Sequence, residues 1–469
     1  MSNVKLIYTI ALLLFSLISV SAQENLITVK DVIIIGNNKT KENVILREVN
    51  FESGTVINVQ DLETLFMQNR FQILGTGLFN NVVMNLKNYN TTQQTADIEI
   101  NVEENWYLFP LPIFELADRN FSVWWEEQGR SFSRVNYGFR LGHQNFSGNR
   151  DPFKIKVHFG YTRKYELEYD YPYLSKDNTL GLGGSIFYSE NREIAFQTIG
   201  NKTQFRILDD ERRLLSRFRI GPRLKYRPSI YSNHDLVLQY HHNTIDPFVA
   251  TELNPNYFLN GETRLRFFIL EYSFNYDRRL FSVYPRGGYL LFAKVKKEGL
   301  GIFDSYKNLS LESGFEIHKA INDKIILGTR TIGKTNLDRR AVSFANNTGL
   351  GWGTDIVSGY ELYVLDGTDY VISQNDAKWK FYDRNHNTVG WLPDQLRKMN
   401  VTIFFRVNFD FAYVNERDFV ETNTLNNRWI YGGGPAIDLI LFNNYLFRFE
   451  YSFNDIGEQG LFFHNTFAF

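Results

Sequence analysis

The chain has 469 residues, with 51 basic against 52 acidic and a formal net charge of −1, so its overall charge marks no nucleic-acid partner. Aromatic residues make up 16%, with 41 Phe and 27 Tyr, yet mean hydropathy is −0.31 and 22% of residues are charged. That is too polar for a bundle of membrane helices and suits strands whose alternate residues face lipid and lumen. Cysteine is absent, which excludes disulfides, thiolate metal sites, a cysteine nucleophile and lipidation at a mature N-terminal Cys.

Residues 1–22 read as a secretory signal peptide, with Lys5 before an apolar run from Leu6 to Ile18 and Val20-Ser21-Ala22 as the cleavage site. The run is shorter than the ~20 residues a spanning helix needs. Nothing downstream supplies ~18 uncharged apolar residues, so a membrane passage must be made of strands. Residues 23–107 have the pattern of a small α+β module. Ile27 to Ile35 is a β-branched strand closed by the turn signal Gly36-Asn37-Asn38. Thr40 can cap a helix through Val44, Ile45 and Leu46, and Gly54 marks the next turn. A second helix carries Leu62, Leu65, Phe66, Asn69 and Ile73 near one stripe and ends at Gly75 and Gly77. Two strands follow, Asn81 to Leu86 and Ala96 to Val102, for an order β-α-α-β-β.

That order, with Gly36-Asn37-x-x-Thr40, Ile45-Leu-Arg-Glu48, Gly54 and Gly77-Leu78-Phe79-x-x-Val82, resembles a POTRA domain, the periplasmic module of the BamA/TamA superfamily of outer-membrane assembly and translocation proteins. One copy is visible.

After Pro110 and Pro112, period-two segments of about ten residues recur between turn signals, as in membrane strands. Residues 108–469 are therefore expected to form an antiparallel transmembrane β-barrel. Tyr165, Leu167, Tyr169 and Tyr171 alternate with Lys164, Glu166, Glu168 and Asp170, so one face suits lipid and the other water. The same rhythm runs through Phe268 to Tyr276, Ile403 to Tyr413 and Tyr445 to Phe453. At about 22 residues per strand with its turns, the segment holds about 16 strands, though counting alone also admits about 14 or 18. The resembling family has sixteen. The terminal run carries Phe463, Phe467 and Phe469 on alternate positions; by resemblance this is an assembly signal, and it also suits an aromatic anchor at the barrel rim.

Two segments extend the resemblance. Asp277-Arg278 followed by Pro285-Arg286-Gly287 looks like a family strand–turn–strand element of the form D-x-R…P-x-x-G. Val357-Ser358-Gly359-Tyr360 stands where the family places a loop that folds into the lumen with a Val-Arg-Gly-Phe/Tyr tip, its arginine pairing with acids on the barrel wall. Here that arginine is Ser358, which offers ordinary hydrogen bonds in place of a bidentate ion pair. The plainer reading of the four residues is simply a tight turn.

Glu166 and Glu168 share a strand face, but charges facing the lumen are ordinary in such barrels. His241 and His242 point to opposite faces. No phosphate loop, Ser-His-Asp signature or zinc motif appears, so no enzyme, metal or cofactor is expected. The resemblance implies an outer-membrane protein with its POTRA domain in the periplasm. Its partners would be membrane lipid and client polypeptides, or periplasmic and lipoprotein partners, and it would assemble or translocate clients by β-augmentation. The alternative is a pore or structural subunit of a surface complex that docks a partner through its POTRA domain. The aromatic content and abundant Asn and Lys also resemble outer-membrane proteins of Bacteroidetes-type bacteria.

Overall fold

A computed structural model describes residues 26–172, 174–175, 179–208, 212–303, 305–387, 398–417, 420–442 and 445–467; the signal-peptide segment, residues 1–22, and Phe469 lie outside these. The chain divides into two units, one holding residues 45–104 and the strand before them, the other residues 105–469 with a short segment at 39–44.

The first unit runs β1 (Leu26–Ile35), α1 (Glu42–Leu46), β2 (Val56–Asn58), α2 (Leu62–Gly75), β3 (Phe79–Asn90) and β4 (Thr95–Glu104). The sheet order is β2-β1-β4-β3, with β1 and β4 parallel. The structure thus adds a three-residue strand, β2, between the two helices expected from sequence; it is too short to show a period. Val29, Ile45, Ile73, Leu78, Val82, Ile98 and Ile100 are buried at 2% exposure or less and form the core. A register shift between Phe79 and Asn81 lets Phe79 and Val82, three residues apart, share that core face. Asn69 is buried inside α2, where its side chain accepts from Asn50 N at 2.7 Å and donates to Leu65 O at 2.7 Å. Both its polar ends are met, so it is a structural residue.

The second unit is a sixteen-stranded sheet in which every strand is antiparallel to its neighbours. In order these are β5 (Leu108–Leu116), β6 (Val135–His143), β7 (Phe153–Gly160), β8 (Thr162–Tyr171), β9 (Leu180–Asn191), β12 (Leu215–Tyr226), β13 (Ser232–Ile245), β14 (Arg264–Asp277), β15 (Gly288–Glu298), β16 (Asn308–Ala320), β17 (Ile325–Asn336), β18 (Asp369–Asn387), β19 (Lys398–Asn415), β20 (Trp429–Leu441), β21 (Tyr445–Asn454) and β22 (Gln459–Phe467). A separate hairpin, β10 (Glu193–Ile199) with β11 (Lys202–Ile207), interrupts the order between β9 and β12. The strand face is set by alternation. On β19, Phe405, Val407, Phe409 and Phe411 point outward, while Phe404, Arg406, Asn408 and Asp410 are buried inward. The outer face is an apolar belt of the kind a bilayer requires, and the inner face is polar. Connections are long at one end, where residues 117–134, 246–263, 337–368 and 416–428 lie, and shorter at the end where β5 begins. These are called the far and near ends below.

Gly36 sits at φ +96°, and a Cβ there would meet Val102 O at 2.0 Å. Gly36→Ala should cost the first unit at least about 1–3 kcal/mol. The check is amide hydrogen exchange across β1 and β4 in the full chain, where protection should fall without any change in the barrel strands.

Candidate functional site in the barrel lumen

The far-end connection 337–368 turns into the lumen. Leu350 and Leu365 pair across it with two backbone hydrogen bonds of 3.0 Å, so it descends as a narrow hairpin. Its tip is Val357-Ser358-Gly359-Tyr360, in which Val357 and Tyr360 are 2% and 1% exposed. Gly359 takes φ +84°, and Tyr360 N closes a turn on Val357 O at 2.9 Å. The tip is therefore a tight turn and lies inside the barrel. Ser358 donates to Asp410 Oδ2 from its backbone N at 3.2 Å and from Oγ at 2.7 Å. Asn408 donates to Ser358 Oγ and, at 3.2 Å, to Glu450 Oε1. Asn454 donates to Gly359 O at 2.8 Å, and Tyr360 OH donates to Asp455. The wall makes room with glycine, since a Cβ on Gly432 would lie 1.9 Å from Ser358 O.

Of these carboxylates, Asp455 is paired with Arg428 of the far-end connection 416–428. Arg406, on the wall itself, lies 3.6 Å from Asp376 and 3.9 Å from Glu450. Lys378 stands 3.5 Å from Asp376, and Arg448 is 2.7 Å from Asp438. Sequence reading followed the outward aromatics of β19 and passed over the inward residues between them. The usable signal was the same alternation read on its other phase.

The near-end turn 278–287 also enters the lumen. Tyr284, 3% exposed, packs on Phe404 with ring centroids 4.9 Å apart and planes tilted by 40°, and donates to Asp438 Oδ2 at 2.7 Å. Arg286 donates to Thr402 Oγ1 at 3.2 Å, and Pro285 is buried beside it. The inward arginine is Arg279, which binds Asp277 and Glu316 at 2.7 Å each, while Arg278 is exposed and lies over the Tyr231 ring at 4.6 Å. The glycine the turn requires is Gly288, at φ +88° with a Cβ position 2.0 Å from Arg278 O, whereas Gly287 would meet only Leu280 at 3.6 Å. Leu78, Phe79 and Val82 are buried in the core, Gly77 takes φ +75° before them, and the side chains β3 exposes include Val83 and Tyr89.

The two intruding segments thus land in sequence along one strand, the near-end turn on Thr402 and Phe404, the far-end loop on Asn408 and Asp410, with Arg406 between. Above them the far end is tied by three buried asparagines. Asn201, at the β10–β11 turn, donates to Asn426 Oδ1 at 2.6 Å and to Val364 O at 3.3 Å, and its backbone N reaches Asn423 Oδ1 at 3.0 Å. Arg119 donates to Tyr363 O at 2.8 Å, and Asn120 to Glu361 O at 2.7 Å. Phe121 meets Phe463 of β22 edge-on at 6.2 Å, and Phe463 also packs on Phe447 and Phe449; β22 ends at Phe467. Among the described residues no group of three His, Asp or Glu could hold a metal ion.

Tyr284→Phe removes one of the donors to buried Asp438 and should lower stability by about 1–3 kcal/mol, read as a lower thermal midpoint in detergent than for Tyr165→Phe on the outer face. In the far-end cap, burial lifts the Asp366 carboxyl from its ordinary 3.8 to about 6. A raised folded-state value means that folding favours the protonated acid. Protease protection of residues 337–368 should therefore be greatest below pH 3.8 and decline as pH rises to about 6, and Asp366→Asn should flatten that dependence.

Residues 27–105 match the POTRA family, described as a surface antigen variable number repeat. None of the curated protein sequences matches the chain. Among solved structures, BamA from Haemophilus ducreyi lacking POTRA domains 1–3 is similar at 15% identity and TM-score 0.53, covering 94% of this chain and 84% of that one. CdiB from Escherichia coli is similar at 12% identity and TM-score 0.55, over 94% and 76% of the two chains. CdiB from Acinetobacter baumannii is similar at 12% and 0.51, over 94% and 74%. Residues 27–105 therefore form a POTRA domain, and the sixteen-stranded sheet that follows has the fold seen in BamA and CdiB.

Proposed function

We propose that this chain is an outer-membrane assembly or translocation factor that takes client polypeptides by β-augmentation, with its POTRA domain in the periplasm. The observation that carries the reading is a pair of unfilled strand edges. In the first unit β3 is an edge strand paired only to β4, and among the described residues no ladder joins β5 to β22, the two ends of the sixteen-stranded sheet. An unpaired edge offers main-chain donors and acceptors that any extended chain can meet, which makes binding largely independent of client sequence. The likeness in fold to BamA and CdiB supports the same reading. A passive pore is disfavoured because the loop tip at Ser358, the turn at Tyr284 and the asparagine cap at Asn201 all occupy the lumen or its mouth. The chemistry is binding without catalysis, and no cofactor enters it.

Depletion in the native host followed by quantification of the outer-membrane proteome tests the range of clients. Loss of many barrels or surface lipoproteins supports assembly, loss of one partner supports dedicated export, and altered permeability with an unchanged proteome replaces the reading with a pore. In liposomes the protein should speed the folding of a client barrel. Proline at Val83 and, separately, at Met84 separates the two edges of β3, because adjacent N–H groups point to opposite sides of a strand. The variant that keeps the POTRA fold should slow client folding severalfold, by about 1 kcal/mol or more for a lost main-chain bond; unchanged rates in both variants would remove β3 from the proposal.

A further inference from the structure

On the wall formed by β9, β12 and β13, Ile220, Leu224 and Tyr226 point outward, which puts Arg217, Arg219, Arg223 and Lys225 on the lumen face. Cross-strand register sets Ser189 and Asn243 on either side of Arg217, and Phe187 and His241 on either side of Arg219. Lower on the strand the cations are neutralised: Arg223 and Lys225 share Asp170 at 3.3 and 2.8 Å. Among the described residues, Arg217 and Arg219 have no carboxylate at ion-pair distance. Arg217 donates to the Asn191 amide at 3.2 Å, and Arg219 lies 5.0 Å from the Phe187 ring. The carboxylate on their row, Glu166 beyond Phe187, is held by Lys156 at 3.3 Å and Lys164 at 3.9 Å.

Four buried polar atoms in this patch lack a hydrogen-bond partner: Nε of Arg217, Nε of Arg219, Oγ of Ser189 and Oδ1 of Asn243. Ser189 is 1% exposed. An apolar cluster of Leu214, Ile245, Tyr257, Phe258 and Phe267 adjoins the patch through Phe267, whose ring lies 5.3 Å from that of His241. Two like charges held together without a counter-charge, beside a hydroxyl free to donate, are unfavourable until an anion joins them. Guanidinium forks match the planar oxygens of phosphate and carboxylate.

We propose that Arg217 and Arg219, with Ser189, form an oxyanion-binding site in the lumen wall that takes a phosphate or carboxylate group. The ligand arrives either as a free anion or on a polypeptide inside the barrel. The test is calorimetric titration of the full-length protein in a zwitterionic detergent, with inorganic phosphate in one arm and a glutamate-rich peptide in the other, at matched ionic strength in chloride. Saturable phosphate binding identifies the free anion, and binding of the peptide alone identifies a polypeptide carboxylate. In either case R219Q should weaken binding about tenfold, the loss expected for one charge-assisted contact, and R217Q/R219Q should abolish it. R219K should retain part of it, and K294Q, whose lysine pairs with Glu312, should change nothing. No saturable binding in either arm, or equal binding by R219Q and R219K and the wild type, overturns the proposal. The titration involves no client folding, so its failure and the failure of the assembly reading are separate results.

Discussion

In hydrocarbon every backbone N–H and C=O must find a partner within the protein, and a sheet satisfies this only by pairing each strand on both sides. The second unit meets that demand along fifteen consecutive ladders from β5 to β22. Strand alternation then follows, since one face must tolerate lipid and the other is left to line an enclosed space. The aromatic belt of Tyr165, Phe405, Phe409 and Phe449 and the inward row of Arg406, Asn408, Asp410 and Glu450 are two phases of one pattern. Among the described residues the demand goes unmet by a ladder between β5 and β22, the two ends of the sheet.

Enclosing charged side chains creates a second requirement, because desolvated ions must be compensated. The wall around β19 does this with alternating carboxylates and cations, and both intruding segments use those carboxylates as landing points: Ser358 on Asp410, Tyr284 on Asp438. With serine at the loop tip, the positive charge comes from Arg406 on the wall, and the tip is held by hydrogen bonds through Asn408. The wall around β12 is built otherwise: Arg223 and Lys225 share Asp170, while among the described residues Arg217 and Arg219 have no carboxylate at ion-pair distance. One side of the lumen is thus a neutralised seat for the protein's own loops, and the other keeps positive charge in reserve.

How much was legible in the sequence depends on the range of the interaction. Alternating segments such as Lys164 to Tyr171 and the turn glycines Gly36 and Gly77 announce themselves because their causes lie within a few residues. In the near-end element the inward arginine is Arg279 and the turn glycine is Gly288, each one position on from Arg278 and Gly287. A one-residue step exchanges lumen for lipid, and a motif by itself does not carry the phase. The burial of Leu78, Phe79 and Val82 was hidden for a related reason, since the register shift beside Phe79 breaks simple alternation.

By itself the sequence determined the two-part organisation, the POTRA resemblance and the alternating membrane strands, because periodicity and turn chemistry are local. Only the tertiary structure decided which residues meet. Ser358 and Asp410 are 52 positions apart, Tyr284 and Asp438 154, and Asn201 and Asn426 225. The curling of the sheet around the lumen brings them together, and the register that sets each contact is a property of all the ladders at once, so no single segment encodes it.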